Sequence, residues 1–144
     1  PANGIGGNQV RLGDFRDAAV LQRVVNSEDT AKEFFVDERF KSGTGDGNWD
    51  TSNRQLVLEA GSAQQSEIIA LTGGTISRAR LVLTGTGIVN TTAKISFDGG
   101  QVFESVTKNV TFTTGTPTAL GLAWRVEQAT TAGTITSVSL EYNL

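Results

Sequence analysis

Residues 93–104, read AKISFDGGQVFE, constrain the fold more than any other stretch of this chain. Ala93, Ile95 and Phe97 alternate with Lys94, Ser96 and Asp98, the two-residue period of a strand buried on one side. Asp98-Gly99-Gly100 then supplies residues that accept the positive φ of a tight turn, and Val102 and Phe103 open a second strand. The stretch therefore predicts a β-hairpin. A second anchor lies at 120–126 (LGLAWRV), where Leu120, Leu122, Trp124 and Val126 fall on one face. Turn residues at Gly61, Gly73-Gly74, Gly85, Gly87, 115–117 and Gly133 separate further short strands, predicted over 55–60, 67–71, 77–85, 92–98, 102–106, 110–113, 119–128 and 134–142. Ala79, Leu81 and Leu83 face inward on one of these, and Val138, Leu140 and Tyr142 on the last. Many short strands with no helix between them describe an all-β antiparallel sandwich or barrel. The abundant Thr suits solvated sheet faces, where it has good β-propensity without apolar exposure.

Composition narrows the chemistry. A chain of 144 residues is one domain, long enough to bury a core without metal or disulfide staples. With no Cys there is no disulfide, thiolate nucleophile or zinc–thiolate site. With no His, Ser-His-Asp and Cys-His mechanisms are unavailable, as is the commonest ligand of transition metals. A net charge of −3 offers no basic face for phosphates, so no nucleic-acid partner is expected. No apolar run approaches the roughly 20 residues of a membrane span, and no signal peptide is visible. Pro1 is consistent with loss of an initiator Met, the expectation being a complete small protein, with an excised fragment as the alternative.

Acidic residues outnumber basic ones over 1–50, whereas 51–144 are balanced and rich in Thr, Gly, Val and Ile. The division expected is an N-terminal arm and short helix over 1–33 and a β domain over 34–144. Residues 1–7 (PANGIGG) have nothing to pack. Gly4-Ile5-Gly6-Gly7 lacks the preceding strand and following Lys of a phosphate loop. Over 14–26 Phe15, Ala18, Ala19, Leu21 and Val25 recur at helical spacing, with Asp14 as N-cap and Asn26 as stop. So short a helix does not persist alone, and it must dock on the β domain or on another chain. With Ile5, Val10 and Leu12, the residues Phe15, Leu21 and Val25 are the candidate assembly contacts. A strand over 34–36 enters the sandwich.

Residues 41–53 (KSGTGDGNWDTSN) read as a loop. Asp46, Asn48 and Asp50 have the spacing that begins a calcium loop, but Thr51 and Val57 stand where a Gly and a bidentate Glu are needed, leaving a weak calcium candidate. No other metal and no cofactor is expected. Trp49 is the one aromatic expected on an exposed loop, and so the candidate glycan contact. For glycoside hydrolysis two carboxylates must face each other across a cleft. Asp98 is accounted for as a turn residue, while Glu104, Glu127 and Glu141 sit beside buried positions and should point to solvent. No pair emerges, and an enzyme is not expected.

Several runs, taken together, look familiar: Trp49-Asp50-Thr51-Ser52, Leu56-Val57-Leu58 and Ser66-Glu67-Ile68-Ile69; then Ile95-Ser96-Phe97-Asp98-Gly99-Gly100 with Phe103-Glu104-Ser105-Val106; finally Leu122-Ala123-Trp124-Arg125-Val126 and Val138-Ser139-Leu140-Glu141-Tyr142. Their order resembles a jelly-roll module of tailed-phage virion proteins, over about residues 34–144. Where that family commonly carries Trp after Asp-Gly-Gly, this chain has Phe103. The resemblance implies a jelly-roll-like β-sandwich resembling carbohydrate-binding modules, a homotrimer, and a place in the virion among other capsid or tail proteins. Capsid decoration, anchored by the N-terminal arm, is the expected role. A tail-fibre or baseplate attachment protein, or a carbohydrate-binding module touching a host-surface glycan, is the alternative.

Overall fold

The computed structural model describes residues 30–35, 41–69 and 74–142. Among them the strands are β1 (Thr30–Glu33), β2 (Lys41–Gly45), β3 (Asn48–Asp50), β4 (Gln55–Leu58), β5 (Ala63–Ser66), β6 (Ile76–Thr86), β7 (Thr91–Ser96), β8 (Glu104–Val106), β9 (Phe112–Thr118), β10 (Ala123–Gln128) and β11 (Gly133–Tyr142). They form two antiparallel sheets in a β-sandwich. The first has the order β3-β4-β11-β6-β9, with β1 also paired to β11; the second has the order β2-β5-β10-β7-β8. The assembly arm predicted from Ile5, Val10, Leu12, Phe15, Leu21 and Val25, and the helix over 14–26, lie outside the described residues.

The two-residue period decides which side of each strand is buried. On β6, Ala79, Leu81 and Leu83 face inward while Arg80, Val82 and Thr84 face out. On β11 the register against β6 shifts between Ile135 and Ser137. This bulge lets Ile135 and Val138 both point into the core although two residues separate them. Opposite them, Ile95, Leu122, Trp124 and Val126 line the second sheet. The layers are joined by an aromatic stack. Trp49 of the first sheet lies nearly parallel to Trp124 of the second, with centroids 6.4 Å apart, and Phe35 meets Trp49 edge-on at 4.9 Å.

Two glutamines are also fully enclosed, and each bonds backbone. Gln64 accepts from the Gly47 amide and donates to the carbonyls of Ser42, Thr44 and Gln65. Gln128 accepts from the Thr91 hydroxyl and donates to the carbonyls of Gly87 and Thr131. Gln64 thereby pins the irregular edge strand β2, and Gln128 closes one end of the sandwich.

Several expectations are corrected. The 41–53 segment is not all loop, since it contains β2 and β3. Its Gly47 is there for space: a Cβ would lie 2.8 Å from the Leu56 side chain and 3.1 Å from that of Gln64. The strand expected over 34–36 comes earlier, at β1, which puts Thr30–Glu33 in the first sheet ahead of the boundary drawn at residue 34. The strand expected over 67–71 is β5, whose inward residues Gln64 and Ser66 are polar and conceal the alternation. β9 extends to Thr118, and β10 starts only at Ala123, because Leu120 lies in solvent and Gly121 turns the chain at φ 105°.

The hairpin is present, but its turn is not tight. β7 pairs with β8 as Ala93↔Val106, Lys94↔Ser105 and Ile95↔Glu104, leaving 97–103 as a loop with Val102 exposed. Gly99 and Gly100 adopt the positive φ foreseen, 73° and 87°.

Candidate functional site

The most organised polar constellation lies on the outer face of the second sheet. Alternation on β10 sends Trp124, Val126 and Gln128 inward, and so Arg125 and Glu127 outward. Register places Gln65 on one side of Arg125 and Lys94 on the other. The Arg125 guanidinium donates to Glu127 Oε2 at 2.5 Å and to Gln65 Oε1 at 2.7 Å, while Lys94 Nζ lies 3.2 Å from Glu127 Oε1. Burial by itself would raise the Glu127 pKa, but the bonds from Arg125 and Lys94 outweigh it and hold the carboxyl below its ordinary range. The result is a preformed row, Gln65–Arg125–Lys94–Glu127, carrying one net positive charge, with the Arg125 and Lys94 side chains about a quarter exposed.

Along the strands this row leads past the small pair Ser96 and Ala123 to three loops gathered at one end of the sandwich. Ile69 and Leu122 exchange backbone bonds there, and the Gly99 amide donates to the Gly121 carbonyl at 2.9 Å. Asp98 organises the middle loop. Its Oδ1 accepts from the amides of Val102 at 2.9 Å and Gln101 at 3.0 Å, and the Val102 bond is the chief reason its carboxyl lies below the usual range. The fixed loops display Ile68, Val102 and Leu120 to solvent. A polar row with an apolar rim on rigid backbone can hold a macromolecular partner. Among the described residues of this row and rim no nucleophile is paired with a base.

The residues singled out from sequence fare differently. Trp49 is not on an exposed loop: it is the inward residue of β3, only 5 % exposed, with its ring in the aromatic stack, so it offers no platform to a sugar. Asp46 and Asp50 are turned to different partners. Asp46 Oδ1 accepts from the Ala63 amide of the second sheet, whereas the Asp50 carboxylate caps its own turn through the side chain and amide of Asn53. The Asn53 side chain is the main cause of the lowered Asp50 pKa. Asn48 is exposed on β3. Among the described residues no group of three acidic side chains is gathered as a metal site, and the calcium spacing is not realised as a cage.

Glu104 does not point to solvent. Its pairing opposite Ile95 gives it the inward face, and Oε2 accepts from the Thr114 hydroxyl across the seam between the sheets at 2.6 Å. Glu127 and Glu141 do face outward, as expected, each in an ion pair; that of Glu141 is with Arg80. Sequence reasoning missed Arg125, Lys94 and Gln65 as a unit, because their adjacency depends on register between strands distant in sequence. The only available signal was their outward phase beside Trp124 and Ile95. Among the described residues no helix is long and apolar enough to cross a membrane. No family model, curated protein or solved structure matches this chain.

Proposed function

We propose that this chain is a non-enzymatic virion structural protein: a trimeric capsid decoration protein with a jelly-roll body, anchored by its N-terminal arm. The observation that carries the fold half of this reading is the strand order. Counting from β4, the order β4-β11-β6-β9 in one sheet faces β5-β10-β7-β8 in the other. The chain thus passes repeatedly from sheet to sheet, an interleaving that supports the jelly-roll reading. The carboxylates of Asp46, Asp50, Asp98, Glu104, Glu127 and Glu141 all serve local hydrogen bonds or ion pairs, as befits a scaffold. The polar row and its apolar rim provide a surface for a neighbouring protein, with apolar contacts for energy and polar ones for register. Virion location and three-fold assembly rest on the family resemblance. The glycan-binding alternative leaned on Trp49 and loses that support through its burial.

The test is light scattering after size exclusion, on the whole chain and on a chain lacking residues 1–26. A trimer that dissociates, or that stops binding capsids, on truncation is the expected result. Monomers in both forms that bind no capsid would overturn the proposal.

A further inference from the structure

We propose that residues 30–35 are an exchangeable docking segment, seated in the assembled protein against β11 of a second copy of this chain. This rests on the assembly reading above and names the contact it uses.

The argument begins with a slot. On one side β11 is flanked throughout by β6; on the other, β4 covers only Gly133, Thr134 and Ile135. Farther along that edge β1 pairs with Val138–Glu141, in the register Thr30↔Glu141, Ala31↔Leu140, Lys32↔Ser139 and Glu33↔Val138. The eight interleaved strands β4–β11 are topologically complete without β1, which is added at an edge.

The segment nevertheless fills the core. Ala31, Glu33 and Phe35 are all buried, and the Phe35 ring covers Trp49. It is an edge strand and an aromatic plug in one short peptide. At its exit Phe35 has φ 58°, a left-handed conformation that a bulky residue rarely adopts. The Phe35 amide donates to Glu33 Oε2 at 2.7 Å, so this conformation is closed by a bond within the segment itself. Residues 36–40 join Phe35 to Lys41, which lies in the opposite sheet. Five residues of polypeptide span up to about 18 Å, which lets the segment reach a second copy whose β11 lies within that distance.

The occupant follows from identity. A slot whose pleat, register and aromatic pocket are satisfied by this chain's own segment is satisfied equally by the same segment of another copy. The contacts made are the same either way, so exchange costs few of them. Repeated around a symmetry axis, it would link each body to the arm of the next.

Cysteine placement reads this directly, because the chain has no Cys of its own. Lys32 and Ser139 are partners in the β1–β11 register, out of phase with the core residues Ala31 and Leu140, and Ser139 is only 9 % exposed. Full-length K32C and S139C, produced separately, are unfolded, mixed, refolded together and oxidised, beside the K32C/S139C double variant; a short bis-maleimide is applied to parallel samples. Exchange predicts mixed dimers from the two single variants, and chains linked in series up to the size of the oligomer from the double variant. No mixed dimers, together with a double variant that closes within single chains, would overturn it. Light scattering on the same samples separates the two proposals. An oligomer containing only internal cross-links leaves the assembly reading standing and removes the exchange, whereas a monomer that also fails to bind capsids removes both.

Discussion

Two kinds of peg hold this sandwich together, and they fail differently. The stack of Phe35, Trp49 and Trp124 joins the sheets through area and ring packing, which any large apolar side chain reproduces in part. Gln64 and Gln128 instead meet backbone amides and carbonyls that have left the regular ladder. No apolar substitute can satisfy those groups, because a buried carbonyl without a donor bears its full desolvation cost. The aromatic peg is thus strong but graded, while the glutamine pegs are weaker but specific. A core of one kind alone would be either loosely specified or poorly stabilised.

The sharpest way to break the comparison is at the rings. Trp124→Ala should cost about 3–5 kcal/mol in chemical denaturation, and Trp124→Phe clearly less. Trp49→Ala should behave like Trp124→Ala, as a loss of stability. Selective loss of binding with unchanged stability would contradict the burial of that ring.

Next is Gln64→Leu, close in volume but unable to bond. It should cost about 1–3 kcal/mol and increase hydrogen exchange over 41–47 before the rest of the molecule. Gln128→Leu should do the same over 87–91. If either is neutral, the glutamines are filler rather than pegs.

Acid extends the contrast to the surface. The Asp98 and Glu127 carboxyls lie below their ordinary values in the folded chain, so each stabilises the fold above its unfolded pKa. That stabilisation is lost as pH falls through the folded value, below about pH 4. Denaturation midpoints should therefore drop on going from pH 5 to pH 2.5, and Asp98→Asn should flatten the profile.

The smallest effect belongs to the polar row. Lys94→Ala should change stability by less than about 1 kcal/mol, since its ion pair with Glu127 is partly solvated. Arg125→Glu should abolish the partner contacts proposed for this face while leaving the fold intact. Unchanged assembly on capsids would move the interface elsewhere.

The legibility of the chain follows the same division. Strands with apolar inward residues, such as β6, β7 and the inner half of β11, announce themselves by alternation. β5 does not, because Gln64 and Ser66 occupy its inward positions and look like surface residues until their backbone partners are known. β2 and β3 were hidden by Gly43, Gly45 and Gly47, which read as turn residues although Gly47 makes room for Leu56. Glu104 was misplaced because its neighbour Phe103 suggested the phase, whereas pairing with Ile95 decides it. The polar row was the least legible feature of all, since no local pattern links residues 65, 94 and 125. Only the sheet does that.

The strand order has a consequence for how the molecule is made. Among the described residues β11 is the last strand in chain order, yet it lies between β4 and β6 and touches β1 as well. The first sheet has no continuous centre until that strand arrives. A chain emerging from a ribosome would hold β4, β6 and β9 apart, with Leu56, Leu81 and their neighbours uncovered, until residues 133–142 had cleared the tunnel. Folding of this kind is late, dominated by contacts between distant residues, and slow for the size of the domain. The centre of the first sheet is therefore the part that forms last, and removing residues from β11 should prevent the two sheets from closing on one core.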